Sequence, residues 1–147
     1  MEMQPPAVHP LDMLNKLIRA TNAHDLDALV DCFSSSYRNE TPAHPARGFI
    51  GAEQVRRNWQ QIFAGVADIR ADVVRFAAHG DDAWAEMEMK GHRADGSIHM
   101  MRGVVIFGVR DGRADWARFY MEQVEDTSGD VNKAVRNAVL PIAKAAP

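Results

Sequence analysis

From Ile69 to Val124 the hydrophobic period is two, and only three short turn sequences interrupt it: His79-Gly80-Asp81, Arg93-Ala94-Asp95-Gly96 and Asp111-Gly112. A period of two is the signature of β-strands, whose side chains alternate between two faces. Connections this short permit only antiparallel neighbours. Asp-Gly also favours a tight hairpin, because both residues tolerate positive φ. The chain is thus expected to build a four-stranded antiparallel meander, with strands from Ile69 to Ala78, Ala83 to Gly91, Ser97 to Val109 and onward from Gly112. Gly103 and Gly108 stand inside the long third strand, where glycine marks a bulge or a bend. A bent sheet can curl around helices and leave a conical hollow.

The residues before the meander have helical spacing. Leu11, Leu14, Leu17 and Ile18 predict a helix from Pro10 to Asn22, with Pro10 in the first turn, where a missing N–H costs nothing. Asp25 can cap a second helix whose stripe is Leu26, Leu29, Val30 and Phe33, ended by Ser34-Ser35-Ser36. Tyr37 to Thr41 reads as a short strand and Pro42 to Gly48 as a loop. Val55, Trp59, Ile62 and Phe63 share a face of a third helix that begins near Gly51 and ends at Gly65. After a polar break, a last helix runs from Val131 to Ala145 and is kinked or shortened by Pro141. The expected division is a disordered lead-in over residues 1–9, one domain over 10–126, and a tail helix over 127–147.

Composition narrows the class. A chain of 147 residues, 46% hydrophobic and 25% charged, can bury a core unaided. A formal net charge of −3 gives no footprint for nucleic acid. The single cysteine, Cys32, rules out an internal disulfide and a cysteine-rich zinc site, and it reads as a small core residue. No apolar run is long enough to span a bilayer, and the first residues lack a secretory pattern, so a cytoplasmic protein is the expectation. The six histidines are scattered without the short spacing of a zinc site, so neither metal nor cofactor is expected.

On the last strand Trp116, Arg118, Tyr120 and Glu122 fall on one face, and Ala117, Phe119, Met121 and Gln123 on the other. A cation, a phenol and a carboxylate in register could line a partly dry cavity. We therefore expect Glu122 to look into the hollow, where burial would raise its pKa and suit it to acid–base work. Trp84, Glu86 and Glu88 share a face of the second meander strand. Glu86 would then be a second carboxylate near the first, splitting their pKa values. Arg118 and Tyr120 would hold a ligand oxygen. Tyr37 and Asn39 could orient a water or a ligand. Trp59, Phe63, Trp84, Met101 and Trp116 would complete the pocket wall. For each residue a structural role is the alternative: Glu122 paired with a cation, Glu86 on a solvated face, Tyr37 half-buried beside a turn-forming Asn39, and the aromatics in the core.

The order helix, helix, short strand, helix, meander resembles the nuclear transport factor 2-like superfamily, which includes SnoaL-like polyketide cyclases, ketosteroid isomerases and limonene epoxide hydrolase. The phrases AHDLDALVDCF, GAEQVRRNW and RGVVIFGVRDGRADWARFYMEQVE carry the likeness across residues 10 to 125. The resemblance implies an α+β fold. It would be a cone-shaped α+β barrel with three N-terminal helices packed on a curved antiparallel sheet, plus the C-terminal helix. It also implies a cofactor-free isomerase, cyclase or hydrolase acting on an apolar, oxygen-bearing small molecule, with Glu122 and Glu86 as carboxylates and Arg118 and Tyr120 beside them. Trp84 departs from the epoxide hydrolase pattern, which would place an arginine there. Two other readings stand beside it: a non-catalytic carrier or sensor, and a dimerisation module. A homodimer is expected through the outer sheet face, on which Phe119, Met121, Met87 and Met89 are placed.

Overall fold

A computed structural model describes residues 9–126 and 129–142. Helix α1 (Pro10–Asn22) starts as expected: Pro10 fills the first helical position and the His9 imidazole accepts a bond from the Leu11 N–H at 3.2 Å. Helix α2 (Leu26–Val30) is capped by Asp25, whose carboxylate accepts from the Ala28 N–H at 3.1 Å. It is shorter than its apolar stripe implies. Phe33 and the three serines are already extended and begin strand β1 (Phe33–Glu40). The 3-10 turn Pro45–Arg47 and a two-residue strand β2 (Phe49–Ile50) lead into α3 (Ala52–Gly65).

The meander forms as expected from strands β3 (Arg70–His79), β4 (Asp82–His92), β5 (Ile98–Arg110) and β6 (Arg113–Gln123). Asp111 and Gly112 have φ of 52° and 76°, so the last hairpin uses the positive-φ turn that the dipeptide favours. The ladder slips between Gly108 and Val109, placing a bulge at one of the two internal glycines. Helix α4 (Val131–Val139) stops before Pro141. Residues 1–8 of the expected lead-in over residues 1–9, and the expected end of the tail helix beyond residue 142, lie outside the described residues.

All six strands join one sheet in the order β2-β1-β6-β5-β4-β3. Strand β1 runs parallel to β6 and every other pair is antiparallel. The sheet is curved but unclosed, with β2 and β3 as its edges, so the expected barrel is an open cone. Among the described residues four α-helices accompany it. Helix α1 lies across β3, β4 and β5, and the Asn22 side chain pins it there. That amide donates to the Ala71 carbonyl at 2.9 Å and accepts from the Ala71 N–H at 2.8 Å. Among the described residues no helix is long and apolar enough to cross a membrane.

The face turned to the helices carries Ala71, Ala83, Ala85, Met87, Val105, Phe107, Ala117 and Met121, all buried. Alanine at four of these positions lets helix backbone approach the sheet closely. Every charged residue of β4 and β6 takes the opposite parity, except Asp115, which lies at the Gly108–Val109 bulge.

Candidate functional site

Between the concave sheet face, α1 and α3 lies a cavity of about 330 Å³. This is at the lower end of the range for small-molecule sites. Leu17, Ile18 and Thr21 of α1 form one wall, and Val55, Asn58, Trp59 and Ile62 of α3 another. Met87, Met89, Met101, Val105, Phe107, Phe119 and Met121 supply the sheet wall. Phe33, Tyr37, Asn39, Thr41, Arg47 and Phe49 close the remaining side from β1, β2 and the segment between them. No Asp, Glu or His is among the described residues that line it.

The side-chain parity expected for the last strand is therefore reversed. Met121 and Phe119 face the hollow, while Trp116, Arg118, Tyr120 and Glu122 lie on the outer face. The cause is desolvation. The face pressed against helices loses its water, and a charge buried there without a partner costs several kcal/mol, on the order estimated for buried ions. On the outer face Glu122, Arg118 and Glu86 each keep a wet partner. The Glu122 carboxylate takes a bond from His44 Nε2 at 2.8 Å, with its side chain 54% exposed. Arg118 pairs with Glu40 at 3.6 Å across the β1–β6 register. Glu86 pairs with Arg75 at 3.5 Å. Glu86 and Glu122 are not neighbours. Glu122 stands opposite Arg102, which bonds Glu88 at 3.0 Å, whereas Glu86 lies in the row of Val104 and Tyr120. The expected carboxylate pair does not assemble.

Of the proposed wall residues, Tyr37, Asn39, Trp59 and Met101 line the cavity. Phe63 sits behind it, 5.4 Å from the Trp59 ring and stacked on His24 at 4.7 Å. Trp84 is on the outer face and 45% exposed. Trp116 lies against Gly108 on that same face, in the space a β-carbon would fill. Met87, Met89, Phe119 and Met121, expected outside, are inside. The sequence reading also missed Thr41, Phe49, Asn58 and Arg47. Asn58 could have been found from its place beside Trp59 and one turn beyond Val55. Arg47 could not, because its position depends on how the loop after β1 folds back.

The polar groups of the wall form a short relay. The Tyr37 hydroxyl donates to Asn39 Oδ1 at 2.8 Å, and the Asn39 amide donates to Thr41 Oγ1 at 3.4 Å. Tyr37 is 1% exposed, and burial pushes its phenol well above the ordinary value. It is a neutral hydrogen-bond donor, not a phenolate. In the unfolded chain this phenol ionises above about pH 10, while in the fold it stays protonated, so the unfolded state then binds fewer protons. Stability is complete below that pH and falls by about 1.4 kcal/mol per unit above it. Tyr37→Phe should lower stability at pH 8 by about 1–3 kcal/mol, because Asn39 Oδ1 loses its donor. Urea unfolding of both proteins from pH 8 to 11 should show that difference shrinking above pH 10. A constant difference would mean that the phenol ionises in the fold as easily as outside it.

A curved sheet holding a ligand-sized apolar hollow under two helices defines the class of cone-shaped α+β domains. Within it, the chain belongs to the SnoaL-like domain family, whose model matches residues 14–117. Solved structures give the same fold. IdmH of Streptomyces antibioticus, a candidate polyketide cyclase, aligns with a TM-score of 0.67 at 21% identity over 79% of this chain and 92% of its own. An epoxide hydrolase of the limonene type from M. tuberculosis aligns with a TM-score of 0.67 at 15% identity, over 77% and 82% respectively. A protein from Catenulispora acidiphila with a ketosteroid isomerase-like fold, solved with trimethylamine, aligns with a TM-score of 0.66 at 15% identity, over 77% and 87%. No curated protein matches the sequence.

Proposed function

We propose that this domain binds an apolar, oxygen-bearing small molecule in its cone and acts as a carrier or sensor, without a carboxylate acid–base step. One observation supports this most directly. The inward positions where a wall acid would have to stand are Met87, Met89, Phe119 and Met121, while Glu86 and Glu122 are paired on the outer face. Met87, Met89, Met101 and Met121 give that wall adaptable, polarisable surface, which suits ligands of varied outline.

A second reading keeps the domain catalytic without an acid, in line with its family and with neighbours named for cyclisation and epoxide opening. The Tyr37–Asn39–Thr41 relay would polarise a ligand oxygen while the cone holds the ligand in a reactive shape.

Calorimetric titration with 2-naphthylmethanol, a neutral aromatic alcohol, tests the binding site. The wild-type protein should bind it. Met101→Trp, which fills part of the hollow, should weaken it at least tenfold. Glu122→Gln should leave affinity within about twofold and stability within about 1 kcal/mol, the usual range for an exposed pair. Loss of binding in Glu122→Gln with Met101→Trp unaffected would move the site to the outer face and overturn the proposal.

A further inference from the structure

We infer that the cone's occupant is an aromatic or polycyclic monoanion, seated with its apolar body in the hollow and its carboxylate against Arg47 at the mouth. This rests on the cavity being a ligand site and adds the charge and orientation of the ligand.

Arg47 is the one charged side chain among the described residues that line the cavity. It sits at the end of the 3-10 turn, fixed by its own N–H bond to the His44 carbonyl at 2.9 Å. The turn is in turn anchored to the end of β6 by the His44–Glu122 contact. None of the arginines and lysines that form ion pairs lines the hollow. The Arg47 guanidinium has no ion pair or hydrogen bond among the described residues. A planar cation with five donors, held at the rim of an apolar hollow and left without a partner, fits a carboxylate two donors at a time.

The neighbouring polar groups point the same way. The Asn58 carbonyl oxygen is already taken by Gln54, whose amide donates to it at 2.8 Å. What Asn58 can still offer is its two amide N–H donors. The Thr41 oxygen accepts from Asn39, which leaves its hydroxyl proton free to donate. The free capacity around the rim is thus dominated by donors, with no carboxylate to compete for them. A cationic ligand would meet Arg47 as a like charge over apolar walls, and a donor-rich one would find few free acceptors. Phe33, Phe49, Trp59, Phe107 and Phe119 favour a flat body over a flexible chain.

The test compares 2-naphthoate with its neutral isostere 2-naphthamide by calorimetry, on the wild-type protein and Arg47→Gln. The side chain is exposed, so the variant should fold, and its thermal midpoint checks this. In the wild type the anion should bind at least tenfold more tightly than the amide. In Arg47→Gln that ratio should fall to within threefold, with the amide's own affinity unchanged within threefold. Equal binding of anion and amide to the wild type would overturn the inference while leaving the cavity as a ligand site. Equal weakening of both ligands in Arg47→Gln would make Arg47 a structural prop and overturn it too. Failure of both ligands and of 2-naphthylmethanol to bind would remove the anion site and the cavity reading together.

Discussion

Gly103→Ala should destabilise the protein by at least ~3 kcal/mol, more than most single substitutions. Gly103 has φ of 154°, a region that side chains rarely occupy. A methyl built there overlaps the Tyr120 carbonyl oxygen and the Met121 α-carbon. Both are backbone atoms of the neighbouring strand and cannot swing aside. Relief would require β5 and β6 to part, and those two strands carry Phe107, Phe119 and Met121 to the cavity. Heat denaturation followed by circular dichroism should show a midpoint lowered by about 10 °C, at 2–4 °C per kcal/mol for a domain of this size. Gly65→Ala is the matched comparison. That glycine ends α3, and nothing lies within 4 Å of its added methyl. Its midpoint should stay level or rise, because alanine is the better helix former by about 1 kcal/mol. A drop below 3 °C in Gly103→Ala would show that the two strands separate at little cost.

The position of that glycine was legible in the sequence, as were the elements around it. Asp25, Asp111-Gly112 and the period-two run act within a few residues, so each could be read without knowing the fold. The two-residue strand Phe49–Ile50 has no period to detect, and Ser34 to Ser36 look like a turn, yet β1 runs through them, its pairing with β6 holding at Phe33 and again from Arg38 with an irregularity between. Parity was the decisive loss for the site. Trp116 and Tyr120 compete with Phe119 and Met121 as apolar residues, so hydrophobicity alone left the strand undecided. The deciding residues were Ala83, Ala85 and Ala117. Their small size suits a face on which a helix lies, whereas long paired ions such as Arg75–Glu86 and Arg102–Glu88 suit a face that keeps its water. Tyr37 and Asn39 share a buried face because β1 has a buried-exposed alternation of its own over its second half. Arg47 needed the tertiary path of a seven-residue loop, which no local pattern encodes.

Reversed parity also changes what a homodimer would use. The outer face has an apolar centre, in which Trp84 stands opposite Ile106, and Val104 opposite Tyr120. Around it lie the pairs Arg75–Glu86, Arg102–Glu88, Arg118–Glu40 and His44–Glu122. An apolar, aromatic centre within a charged rim is the anatomy of a protein interface. Rows of paired opposite charges can also meet their own copies across a two-fold axis. Trp84 and Tyr120 are 45% and 43% exposed, more than large aromatics usually are on a monomer. Sedimentation equilibrium should find a dimer at micromolar concentration. The double variant Trp84→Arg with Tyr120→Arg should be monomeric at 50-fold higher concentration. Two interface aromatics are worth about 2 kcal/mol each, which raises Kd on the order of a thousandfold. Both side chains are already solvated in the single chain, so the variant's far-ultraviolet spectrum and its affinity for 2-naphthylmethanol should stay unchanged. A wild-type protein that sediments only as a monomer would show that this face is left open to solvent, and its aromatics would need another explanation than self-association.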